Sequence, residues 1–172
     1  RALSPLCSQR APTVLAQPVI TASDGFSRCS GSASIIVWSR SCSSTTAACK
    51  TRICFARSTN GGTTWGTPVR LNNQAGKYDQ FNPWLAIDET IGAIGVMYYD
   101  TVNDANRKKT DVFYQSSFDD GATWGTAVKV TTAQTDETAT GADSGNQYGD
   151  YNGLSGYAGV FFPSWTDRRN AT

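Results

Sequence analysis

Three short stretches carry side chains suited to holding a polar ligand: Trp38-Ser39-Arg40, Tyr98-Tyr99-Asp100 and Trp165-Thr166-Asp167-Arg168-Arg169. In each, an aromatic ring stands beside a charged group. A ring can lie against the apolar face of a sugar while Asp and Arg bind hydroxyls or a carboxylate. The candidate contacts are Arg40, Tyr99, Asp100, Trp165, Asp167, Arg168 and Arg169. The same charges can instead pair with one another or with neighbouring elements and fix how those elements stack. A further candidate, Gly149-Asp150-Tyr151-Asn152-Gly153, packs turn formers around a tyrosine and adds Asp150 and Tyr151.

Other chemistries have less to work with. The chain has no His, so no Ser–His or Cys–His nucleophile pair can form. The five cysteines (Cys7, Cys29, Cys42, Cys49, Cys54) show no CxxC and no zinc spacing, so no metal centre is expected from them. Asp136, Asp143 and Asp150 lie in a long, acidic, Gly-rich stretch and offer hard oxygen ligands for calcium, although EF-hand spacing is absent and a solvated loop is the plainer reading. Cys42 and Cys49 bracket the polar loop Ser43–Ala48, a natural place for a disulfide, while the odd cysteine is either free or pairs outside the chain. Disulfides imply an oxidising compartment, so a secreted protein is expected. A start at Arg1, with neither initiator Met nor signal pattern, reads as a piece of a longer precursor. Asn170-Ala171-Thr172 is a formal N-glycosylation sequon.

The net charge of +1 comes from 15 basic and 14 acidic residues spread along the chain, which argues against a nucleic-acid footprint. No apolar run approaches the roughly 20 residues that a membrane-spanning helix needs. Apolar runs are short and separated by turn formers, so the class is all-β. Strands are expected at 13–20, 33–39, 52–57 and 68–71, and again at 82–88, 92–99, 111–117 and 127–130, with a loop over 131–146. A third series begins afterwards and reaches a second strand at 159–165. Gln80, Phe81, Trp84, Ile87 and Asp100 each find a counterpart 67 residues later, in Gln147, Tyr148, Tyr151, Leu154 and Asp167.

Between the third and fourth strands of each full series lies the same turn. Ser58-Thr59-Asn60-Gly61-Gly62-Thr63-Thr64-Trp65 returns 59 residues later as Ser117-Phe118-Asp119-Asp120-Gly121-Ala122-Thr123-Trp124. The Asn60 or Asp119 side chain can fold back onto nearby amides and close a tight turn. Gly62 and Gly121 tolerate positive φ. Thr64 and Thr123 suit the strand that follows, and Trp65 and Trp124 can cover the turn while the indole N–H finds a partner. The motif is a self-stapled hairpin, built for local folding.

Four-stranded units recurring at about 60 residues suit the blades of a β-propeller. The expected units are about 13–72, about 79–131 and a partial one at about 146–172. Some two and a half blades leave open faces and edges, so the ring would be completed by residues or chains elsewhere. An open β-sandwich with two similar hairpins is the alternative.

The paired turns resemble the Asp-box of the sialidase-like (BNR) propellers. The resemblance implies a six-bladed ring and a binding site where the innermost strands end. It also implies a glycan or glycoconjugate as partner. Sialidases clamp the sialate carboxylate with three arginines and use a Tyr nucleophile with a Glu partner and an Asp acid/base. The early Arg-Ile-Pro motif of that family is absent; Arg52-Ile53-Cys54 lies on a third strand, just before the first turn. Glu89 and Glu137 follow no recognisable nucleophile pattern, and Asp167-Arg168-Arg169 could supply one arginine of a clamp. The expectation is carbohydrate recognition without a complete active site in this chain. Two alternatives stand beside it: part of an exo-α-sialidase-type hydrolase completed elsewhere, and a structural or protein-interaction propeller.

Overall fold

The computed structural model describes residues 20–21, 34–41, 51–72, 74, 76, 78–140, 148 and 152–169. Among these residues every regular element is a strand. The first sheet holds β1 (Ile20–Thr21), β2 (Ser34–Ser41), β3 (Thr51–Ser58) and β4 (Val69–Arg70), each antiparallel to its neighbour in chain order. The second repeats that order with β5 (Gln80–Asp88), β6 (Ala93–Asp100), β7 (Lys109–Ser117) and β8 (Val128–Lys129). A short β9 (Thr135–Asp136) pairs with the start of β7. The third unit is the hairpin of β10 (Gly153–Tyr157) and β11 (Val160–Ser164). Of the expected first strand, only Ile20 falls among the described residues.

Strand β6 is the middle of the stack, and its sequence explains why. All eight residues of Ala-Ile-Gly-Val-Met-Tyr-Tyr-Asp are buried. Side chains alternate between faces along a strand. Ile94, Val96 and Tyr98 therefore join Ile35, Val37, Ile53 and Phe55 of the first sheet in one core. Met97 and Tyr99 join Leu154 of the hairpin in a second core. A strand covered on both sides reads as a continuous apolar run, and each fully buried large apolar side chain contributes roughly 1.5–3 kcal/mol. Glycine sets the layer spacing on the hairpin side. A Cβ at Gly95 would lie 2.5 Å from the Phe161 ring, and one at Gly156 would lie 2.7 Å from it. At the far end Asp88, fully buried, accepts hydrogen bonds from the Thr90 amide and hydroxyl and from the Gly159 amide of the hairpin turn.

Both repeated turns are held by their own side chains. In the second, the Ser117 hydroxyl accepts from the Gly121 amide at 2.8 Å and donates to Asp119 Oδ1 at 2.8 Å. Asp119 accepts from the Thr123 amide and hydroxyl, and Trp124 Nε1 donates to the Gly121 carbonyl. In the first, Ser58 accepts from the Gly62 amide and donates to Asn60 Oδ1, which also accepts from the Thr64 amide. Asn60 Nδ2 then donates to the Thr64 hydroxyl, the reverse of the Thr123–Asp119 bond, because a carboxamide carries hydrogens where a carboxylate carries lone pairs. The two turns differ in surroundings. Trp124 meets Phe55 edge to face at 5.1 Å and Asp120 pairs with Arg57, so the second turn docks on the first sheet. Trp65 is 40 % exposed.

The Asp119 bonds make a pH prediction. Those from Thr123 above all, and that from Ser117, hold the Asp119 carboxyl down at about 2. A carboxyl lowered in the folded state stabilises fully above its ordinary value near 4, and that contribution is lost as pH falls toward 2. Acid titration of the thermal midpoint should therefore be shallower between pH 4 and 2 for Asp119→Asn than for the native chain. An unchanged slope would show that the turn does not bind the ionised form preferentially.

One expectation changes. The stretch 131–146, read from sequence as a loop, contains β9, and Thr135 and Glu137 are buried. The reason is polar rather than apolar: Thr135 Oγ1 donates to Asp167 and accepts from the Arg168 amide, which draws the segment against the chain leaving β11. Cys42 and Cys49 lie outside the described residues.

Candidate functional site

The second strands β2, β6 and β11 end where the sequence places its aromatic and charged residues. Two polar seams form at these ends, one between the first two sheets and one between the second sheet and the hairpin.

Asp100 anchors the first seam. It is fully buried, and its Oδ2 accepts from Gln74 at 2.8 Å, Gln80 at 3.0 Å and Asn72 at 3.3 Å, while Oδ1 accepts from the Val102 amide. Burial pushes its carboxyl up; the bonds from Gln80 and Val102 and the charge of Arg52 oppose that shift without cancelling it. Arg52, facing Arg40 across the β2–β3 pairing, donates to the carbonyls of Tyr78 and Gly76. Arg107 pairs with Asp79, which also accepts from the Thr51 amide across the seam. Directly opposite Asp100, the buried Asp111 accepts from Thr131 and Asn103.

The second seam is built around Tyr99. Its ring is fully buried, and its hydroxyl donates to the Thr166 carbonyl and accepts from the Thr166 amide. Burial pushes the phenol up to about 12. A bulge at Asn82, with φ of 50°, turns the Asn82 carbonyl to Asn152 Nδ2. Thr110 donates to the Tyr148 hydroxyl. Asp167 pairs with Arg169, which also donates to Thr132, and Arg168 lies 3.7 Å from Glu137. The half-buried Trp165 packs, as Tyr148 does, against the core that holds Tyr99.

The structure thus brings Tyr99, Trp165, Asp167, Arg168 and Arg169 into one seam and puts Asp100 in the other. Tyr99 and Asp100 have no exposed surface, so neither meets a ligand directly. Asp100, Asp167 and Arg169 are engaged across or along the seams. Arg40 sits on β2, but its side chain is not among those described, and Asp150 and Tyr151 lie outside the described residues. Of the three calcium candidates, Asp143 and Asp150 also lie outside them, while Asp136 accepts from the Thr138 amide and hydroxyl and pairs with Lys109. Among the described residues no group of three or more metal-ligating side chains gathers.

Sequence reasoning missed the three carboxamides around Asp100 and the burial of Glu137. The partners of Asp100 precede it by 20 to 28 residues, and Arg168 follows Glu137 at a distance along the chain that no local motif encodes. The recurrence of Asp100 as Asp167 was the available signal for a shared seam position.

Among solved structures, the chain is similar to one described as Hadza microbial sialidase Hz136, at 20 % sequence identity and a TM-score of 0.45. The likeness covers 57 % of this chain and 23 % of that protein, so the chain spans less than a quarter of its length. No family model and no curated protein matches the sequence.

Proposed function

We propose that this chain is a segment of a secreted, sialidase-like Asp-box β-propeller that recognises carbohydrate and does not catalyse by itself. The observation that carries the reading is the seam at the ends of β6 and β11. There the Tyr99–Thr166 bonds bring a partly exposed Trp165 beside polar groups from two units. Aromatic surface next to hydroxyl-binding groups is what sugar recognition uses. The propeller reading is supported by two sheets with the same strand order and the same turn. It is supported too by the outward face of the hairpin, where Tyr157 is 69 % and Phe162 58 % exposed, a face that a following unit would cover. The remaining blades would come from the same precursor or from other chains.

A glycan array probed with the 172-residue chain tests the proposal; binding to a defined set of saccharides is the expected result. Turnover of a chromogenic sialoside by the complete protein would move it into the hydrolase class. A second reading, a structural or protein-interaction propeller, is favoured by the commitment of Tyr99, Asp100, Asp167 and Arg169 to bonds within the stack. An array with no bound sugar, together with a tight protein partner, would establish that reading instead.

A further inference from the structure

Two groups in the second seam lack the partners that buried polar groups ordinarily have. Glu137 is 8 % exposed, and neither of its carboxylate oxygens accepts a hydrogen bond. Its contact with Arg168 Nε, at 3.7 Å, is an ion contact too long for one. Trp165 Nε1 is buried and donates to nothing. A carboxylate held this way is costly to keep.

The two groups share a neighbourhood. Arg168 follows Trp165 by three residues and lies against Glu137. Trp165 and Tyr148 both pack against the core that holds Tyr99, whose hydroxyl bonds to Thr166 beside Trp165, and the charge of Glu137 acts on the hydroxyls of Tyr99 and Tyr148. Thr138 beside Glu137 is exposed, and Asp136, Trp165 and Arg168 are half-buried.

We infer that Glu137 and Trp165 form a subsite for a neutral, hydroxyl-bearing sugar, an inference that rests on the carbohydrate-binding reading above. Two carboxylate oxygens can take two hydroxyl donors from a vicinal diol, and the indole N–H can donate to a ring or hydroxyl oxygen. Charge selects against an anionic sugar. Among the described residues, Lys109, Arg168 and Arg169 lie against Asp136, Glu137 and Asp167 in turn, so each of these cations already has an acid beside it. An incoming carboxylate would meet Glu137 itself.

The test is a titration of the ¹⁵N-labelled chain with methyl glycosides of glucose, galactose and mannose, and with methyl N-acetylneuraminate as the anionic probe. The indole N–H signal of Trp165 is assigned through Trp165→Phe. The expected result is a shift of that signal with at least one neutral glycoside and none with the anionic one. Glu137→Gln should weaken binding about tenfold or more, the loss of a charge-assisted hydrogen bond. Trp165→Phe, which keeps a ring but removes the N–H, should weaken it as well and serves if the first variant does not fold. Neutral sugar binding that leaves the Trp165 signal in place, or full affinity in Glu137→Gln, overturns the subsite while sugar recognition stands. A Trp165 shift with the anionic glycoside alone overturns the selectivity. No response to any glycoside, with none bound on the array, overturns the carbohydrate reading and the subsite together.

Discussion

Gly121→Ala is expected to destabilise the protein by roughly 2–5 kcal/mol, far more than the same change at the matching Gly62. Both glycines hold positive φ, 84° and 86°, so alanine at either pays backbone strain of roughly 1–2 kcal/mol. They differ in what the new methyl meets. At Gly62 the nearest atom belongs to Trp65 at 3.7 Å, an ordinary contact. At Gly121 the methyl would sit 2.4 Å from the Phe55 ring, deep in van der Waals overlap. Overpacking a core adds roughly 1–3 kcal/mol. Urea unfolding of the two variants checks this, and Phe55→Leu should recover part of the Gly121→Ala loss by clearing the space. Equal losses at the two glycines would mean that the second turn does not dock on the first sheet.

The second large effect is at Asp100. Asp100→Ala should cost on the order of 3–5 kcal/mol, because the Val102 amide and the carboxamides of Gln74, Gln80 and Asn72 lose the acceptor they share. Asn is no remedy, since its NH₂ would add a donor to a ring of donors. The pH dependence runs opposite to that of Asp119. Burial raises Asp100, so its ionisation in the folded protein weakens stability as pH climbs from the ordinary carboxyl value through the raised one. Removing Asp100 should therefore flatten the falling side of the stability profile just above pH 4. A loss below 1 kcal/mol in equilibrium unfolding would contradict the role given to this seam.

The strands and the two turns were legible because both are local. Short apolar runs, Ser-x-Asp/Asn-x-Gly spacing and turn glycines are written into neighbouring residues, and the side chains of Ser117 and Asp119 bond to each other and to Gly121 and Thr123 of the same turn. The docking of one turn and not the other was illegible, because it depends on Phe55, which lies in a different sheet. The strand-end charges could be located but not assigned. Asp100 and Asp167 both read as surface groups for a ligand; Asp100 is buried between layers, whereas Asp167 stays exposed and bonds to Thr135 and Arg169. Glu137 was passed over because its neighbours carry no motif. Its unbonded oxygens become visible only when β9 is drawn against Arg168.

The most direct test of the account is amide hydrogen exchange of the whole chain with and without a saturating neutral saccharide. Slowed exchange confined to residues 132–140 and 164–169 is the predicted result, because there the ends of β6, β9 and β11 meet. Protection centred on the turns at 58–65 and 117–124 would contradict it, since that would put the ligand at the opposite end of the strands.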